Sequence, residues 1–205
     1  MYADEEILKQ KRFIREMAEN FEQESVEEEI KVSILEGKVP VFGEKFAFSR
    51  RVIEDTNICV VLPEILKRLD DETKKMMFPL ENAPEVVLSS DRDLFNVACK
   101  KTSHIVPQEH IMEFTNLSCQ LLERMGPQSK IVKKYTHQLQ AFEIGIMEFL
   151  TMAMDGRVYN VNCLLPFDEG VTIVSFTFLS KVKQRIYPIV IEIIRYMEII
   201  NKEEN

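Results

Sequence analysis

Glu148, Cys163 and Ser175 are the residues whose types would matter most to chemistry if the strands carrying them pair as their turns suggest. A carboxylate, a thiol and a hydroxyl in one cross-strand row are the raw material of a nucleophilic centre. The row comes from two turns. A two-residue turn at Asp155-Gly156 sets Met152 opposite Tyr159 and Glu148 opposite Cys163, and a three-residue turn at Asp168 to Gly170 sets Cys163 opposite Ser175. The chemistry of such a row is poor. A neighbouring carboxylate raises a thiol's pKa and suppresses the attacking thiolate. No histidine falls in the same register to act as base. The row reads as a hydrogen-bonded, partly wet patch, so no catalytic residue is expected.

The same register puts Asn160 and Asn162 among Phe149, Phe176 and Phe178, with Thr151 and Val174, on one face of the sheet. Amides set among aromatics can orient a ligand in an apolar pocket, which makes these five residues the candidate binding face. The opposite face carries Ile146, Glu148, Leu150, Met152, Tyr159, Val161, Cys163, Ile173 and Ser175. Both faces are mostly apolar, so each needs a cover: helix on one, and helix, partner or ligand on the other. Met147, Met152 and Met154 add flexible thioethers that suit either a core or an adaptable surface.

No metal or cofactor is expected. His104, His110 and Cys99, even with His137 and Glu143, lack ligand spacing, and the first two read as histidines flanking the start of a helix. With six glycines, none in a Gly-x-Gly-x-x-Gly, phosphate-loop or Gly-x-Ser-x-Gly arrangement, there is little provision for a nucleotide or a nucleophile elbow.

The elements that hold these residues are strands first. Glu143–Met154, Arg157–Leu165 and Val171–Leu179 form an antiparallel meander rich in β-branched and aromatic residues. A helix follows, with Ile189, Val190, Ile193, Ile194, Met197 and Ile200 at helical spacing, starting near Pro188 and preceded by Ser180 as a cap. Upstream, Val41 to Val52 suggests a strand pair, Asn57–Leu62 a buried strand, and Glu64–Met77 a short charged helix. Glu85–Leu88 and Leu94–Cys99 form a hairpin across an Asp91–Asp93 turn, and Ile131–Ala141 a further strand. Pro107 opens a helix whose apolar stripe is Ile111, Phe114, Leu117, Ser118, Leu121, Leu122 and Met125, ended by Gly126-Pro127. Residues 1–36 form a charged N-terminal helical arm, with Ile7, Ile14, Met17 and Phe21 as a narrow stripe that docks on its own domain or reaches a second subunit. Residues 37–205 form the domain, and runs of strands separated by helices without βαβ alternation make it α+β.

Several of these segments together resemble the PsbP-like family. They are the strand at Lys45-Phe-Ala-Phe, the strand ending Val61-Leu-Pro-Glu64, the Pro84–Leu88 strand with its hairpin, and the central helix. The meander through Tyr159-Asn-Val161 and Leu165-Pro-Phe167, and the closing helix, complete the likeness over residues 39 to 200. The resemblance implies an antiparallel sheet sandwiched between helices, in a family whose members are unified by binding. It carries over no functional residue, since no motif matches residue by residue.

Composition narrows the role. A net charge of −8 without a long basic cluster argues against nucleic acid, and Lys130 to Lys134 reads as a solvated face. No apolar run approaches membrane length and the acidic start has no signal segment, so a cytoplasmic setting is expected, with Cys59, Cys99, Cys119 and Cys163 as free thiols. The expected role is a non-enzymatic, bacterial-type cytoplasmic interaction or adaptor protein that binds a protein partner or itself. A small-molecule or lipid binder using the apolar face is the alternative, and a hydrolytic enzyme using Glu148 and Cys163 is the weaker one.

Overall fold

The computed structural model describes residues 34–200 apart from 35, 42–43, 79–82, 91–94, 127, 141 and 154–155. The expected N-terminal arm and the Asp91–Asp93 turn lie outside the described residues. Ile34 is already buried in the main core.

Eleven strands and three helices are described, in the order β1 (Lys38–Val41), β2 (Glu44–Val52), β3 (Ile58–Pro63), β4 (Lys67–Arg68), α1 (Asp71–Met77), β5 (Val86–Ser89), β6 (Asn96–Lys101), α2 (Ile111–Met125), β7 (Lys130–Leu139), β8 (Phe142–Ala153), β9 (Gly156–Phe167), β10 (Gly170–Leu179), α3 (Lys183–Arg195) and β11 (Glu198–Ile199). Seven strands form one antiparallel sheet, ordered β4-β5-β6-β10-β9-β8-β7, and β1-β2-β3-β11 form a second. The expected α+β class is what the structure shows, with α2 on one face of the large sheet and α3 with the small sheet on the other. One core spans the second side: Val39, Phe48, Val60 and Leu62 of the small sheet pack with Ile146, Val161, Phe176 and the apolar side of α3. A smaller cluster under α2 joins Ile111, Cys119, Met147, Phe149, Leu164 and Val171.

Local chemistry departs from expectation in several places. The segment expected as one helix from Glu64 first makes β4, because Asp70 then caps α1 by accepting the Thr73 amide at 2.8 Å. α3 starts at Lys183, five residues before Pro188, through a 3-10 turn at Ser180–Val182, and Ser180 makes no side-chain cap bond. The turn before the proline is retained because it buries Ile186 completely, which outweighs the single helix hydrogen bond the proline cannot make. Helix ends at Arg195, and Glu198–Ile199 pair with β3 where helix was expected to continue.

Both meander turns lie earlier in the chain than the glycines suggested. Ala153 pairs with Gly156, so Leu150 faces Tyr159 and Glu148 faces Val161, a shift of two residues that keeps every side chain on its face. Phe167 pairs with Gly170, so Cys163 faces Val174 and Asn162 faces Ser175, a shift of one that turns all of β10 over. Gly170 belongs to the ladder, not the loop. Its φ of +135° and missing Cβ let the Thr102 carbonyl approach to 2.0 Å from where a Cβ would stand. β7 is the outer strand, ten residues long, with a bulge between Ile131 and Lys133 and with Lys130, Lys133 and Lys134 exposed.

Candidate functional site

Turning β10 over breaks up the expected nucleophilic row. Glu148 and Cys163 share the α3-facing side of the sheet as diagonal neighbours, and Ser175 lies on the other side with Asn162. Glu148 is instead held by phenols. It accepts the Tyr159 hydroxyl at 2.5 Å and the Tyr187 hydroxyl of α3 at 2.9 Å. The Lys183 ammonium lies 4.1 Å from the Tyr159 ring centre and 5.0 Å from that of Tyr187, a cation–π contact that brings positive charge towards the buried carboxylate. Burial first, and Glu148 second, push the Tyr135, Tyr159 and Tyr187 hydroxyls well above the usual phenol range. The same two causes raise the fully buried Cys163 thiol far above the ordinary range. Burial likewise raises Cys99 to about 12. The arrangement holds protons tightly and offers no thiolate, so it braces α3 against the sheet.

The candidate binding face is divided in the same way. Phe149, Asn160 and Asn162 lie on the α2 side, whereas Phe176 and Phe178 belong to the main core on the α3 side. Phe176 packs on Phe95 with ring centres 6.2 Å apart, and Phe178 stacks on Tyr159 at 5.5 Å. Asn160 is tied into its own sheet: it donates to the Thr151 hydroxyl at 3.1 Å and accepts from that of Thr177 at 3.2 Å. No aromatic pocket around the two amides results, because a one-residue slip sends the two phenylalanines to the far side.

Sequence spacing missed how α2 sits. The expected stripe included Leu117, Leu121 and Met125, yet these are 62%, 56% and 77% exposed, while Ile111, Thr115 and Cys119 are buried. Gly145 of β8 decides the rotation. A Cβ there would lie 2.0 Å from the Thr115 hydroxyl oxygen, so the helix comes closest where a glycine faces a small residue. The Thr115 hydroxyl is satisfied within the helix, donating to the Ile111 carbonyl at 2.7 Å. With the seat at Ile111, Thr115 and Cys119, the residues Phe114, Leu117, Leu121 and Met125 fall on one flank, roughly 80° to 160° round the helix from it. That flank turns towards β10. The Phe114 ring lies 6.0 Å from that of His104, whose carbonyl accepts the Val171 amide at 2.9 Å. Below it runs a half-buried, uncharged strip of sheet made by Asn160, Asn162, Ser175 and Thr177. Among the described elements α2 packs chiefly on β7 and β8, with Leu164 of β9 and Val171 of β10 joining its cluster. The glycine in an otherwise apolar strand was the available signal for a close approach.

Two other places were considered for chemistry. A cleft of about 210 Å³ lies where the β2–β3 turn, the end of β6 and the β9–β10 turn meet, with Lys101 among Asp55, Asp168 and Glu169. Among the described residues no group of three histidine, cysteine or acidic side chains could hold a metal ion. His110 pairs with Glu113 at 3.1 Å and His104 with the Phe114 ring, apart from Cys99.

No family model and no curated protein matches the sequence. Solved structures do. Cyanobacterial PsbP from Synechocystis is similar over 74% of this chain and 92% of its own, with a TM-score of 0.56 at 7% identity. LpqN of Mycobacterium tuberculosis, described as involved in cell envelope biogenesis, is similar over 76% and 92% of the two chains, with a TM-score of 0.47 at 10% identity. A protein of unknown function from Pseudomonas aeruginosa is similar over 73% and 94%, with a TM-score of 0.44 at 8% identity. Identities this low speak to architecture alone. The chain has the PsbP-like fold, an antiparallel α+β sandwich.

Proposed function

We propose that this chain is a non-enzymatic interaction protein, and that a protein partner docks on the outward flank of α2 and the strip of sheet beside it. One observation carries the reading: Leu117, Leu121 and Met125 form a continuous exposed apolar ridge on a helix whose other side is fully seated. Scattered exposed leucines are ordinary, but three in line over two turns, rimmed by amides and hydroxyls, have the make-up of a recognition patch. The buried, proton-holding surroundings of Cys163 and Glu148 support the non-enzymatic side of the proposal. The net charge of −8 supports a protein partner over nucleic acid. Four free, buried thiols support a reducing, cytoplasmic setting, and none of the described helices is long and apolar enough to cross a membrane.

The test is a gentle affinity purification from the native host with two baits, the natural chain and Leu121→Asp. Position 121 is exposed, so the charge leaves the fold intact while spoiling the ridge. A protein retained by the first bait and lost by the second is the expected result. Identical recoveries with both baits would remove the α2 ridge as the docking surface.

A further inference from the structure

We propose that the cleft between the two sheets binds a small zwitterion with two cationic groups, a basic α-amino acid of the lysine or arginine type. The site is separate from the α2 ridge and goes beyond the docking role. Its volume is about 210 Å³, and it opens where the β2–β3 turn, the end of β6 and the β9–β10 turn meet. Pockets for drug-sized ligands start at roughly 300 Å³, so this one suits a molecule of amino-acid size.

Charge selects the class. Three carboxylates, Asp55, Asp168 and Glu169, and one ammonium, Lys101, line the cleft. Among the described residues none of these four side chains is engaged in an ion pair or a hydrogen bond. Nor do the carboxylates come together closely enough to hold one metal ion. Asp55 belongs to the turn of the small sheet, Asp168 and Glu169 to a turn of the large one. A ligand that satisfies both walls needs two cationic ends, and a carboxylate for Lys101. A basic amino acid carries these groups in the matching order. Its adjacent ammonium and carboxylate meet Asp168, Glu169 and Lys101, and its second cation crosses to Asp55.

The floor of the cleft is polar and unsatisfied. Lys101 pairs directly with Thr172 in the β6–β10 ladder, so their side chains stand side by side. Thr172 lines the cleft and is only 5% exposed. The other two threonines there are satisfied by backbone: Thr56 donates to the Ile53 carbonyl at 2.7 Å, and Thr102 to that of Val171 at 2.9 Å. The Thr172 hydroxyl has no such partner among the described residues, which leaves a buried polar group turned to the cleft. Phe167, its ring 5.7 Å from that of Phe142, gives the ligand's methylenes an apolar wall. The frame is set beforehand. The Thr102 amide donates to the Val171 carbonyl at 2.9 Å, and Gly170 admits the Thr102 carbonyl, which keeps Lys101 beside the β9–β10 turn.

Calorimetric titration of the full chain tests this with L-lysine, L-arginine and two lysine analogues. Cadaverine lacks the carboxylate, and L-norleucine lacks the second cation. Lysine or arginine is expected to bind, with both analogues weaker than lysine by about tenfold or more, the loss of one charge-assisted contact. Asp55→Asn keeps a residue type that tolerates the φ of 59° at this position. It should abolish the preference for lysine over norleucine and retain the preference over cadaverine. Lys101→Gln should do the reverse, with circular dichroism unchanged in both variants. No binding of either amino acid at millimolar concentration overturns the proposal. So does cadaverine binding as tightly as lysine, which makes the cleft a plain amine site. An affinity for lysine that neither substitution alters places the ligand elsewhere and overturns it equally.

Discussion

Glu148 shows how far a residue's type can mislead about its role. A carboxylate near a cysteine invites a catalytic reading, but this one accepts hydroxyl protons from Tyr159 and Tyr187 and lies under the Lys183-capped rings. Because folding raises the pKa of Tyr135, Tyr159 and Tyr187 above the ordinary value of 10.0, the unfolded chain ionises first in alkali. The sign follows: the stabilisation is fully present below pH ~10 and is lost as pH rises further. Absorbance at 295 nm should show these three of the five tyrosines ionising only as the protein unfolds. Glu148→Gln removes the carboxylate's share of the shift, so their ionisation should begin at lower pH while the fold persists at neutrality. A titration identical to that of the natural chain would assign the whole shift to burial.

At the scale of elements, the strands were legible because β-branched and aromatic residues cluster between turn residues, and β5 to β10 all formed within a residue or two of expectation. Faces were less legible, for a particular reason. Gly156 and Gly170 were read as loop residues, yet each pairs within its ladder in a left-handed conformation. Glycine chemistry marks where a turn lies without saying on which side of the last paired position it falls, and one residue suffices to move Phe176 and Phe178 away from Asn160. Helix α2 illustrates the same limit: its apolar residues outnumber those its seat can use, and Gly145 makes the choice. Gly145→Ala should therefore cost about 3 kcal/mol through overpacking. Thr115→Ala in the same chain should recover much of that loss, since the two side chains compete for one space. Urea unfolding of the four-member cycle measures the coupling, and additive losses would show that the Thr115–Gly145 approach does not set the helix.

At the scale of the whole molecule, the second sheet was the hardest feature to foresee. β1, β2 and β3 were expected as strands, but their separation from the large sheet depends on β11, two residues at the end of a helical pattern, and on a core shared across both sheets. Long-range closure of this kind leaves little trace in local periodicity. The PsbP-like architecture was legible because it lives in the order and lengths of elements, which survive where sequence identity falls to 7%. Among the described residues that same architecture leaves β7 as the ten-residue margin of the large sheet, the geometry that recruits further strands. The bulge near Val132 and the ammonium groups of Lys130, Lys133 and Lys134 interrupt that margin and make two such strands repel. Replacing the three lysines by threonine should leave the thermal midpoint nearly unchanged yet produce dye-binding fibrils on prolonged incubation at neutral pH, where the natural chain stays clear. The lysines that first read as a merely solvated face would then be what keeps the molecule from polymerising.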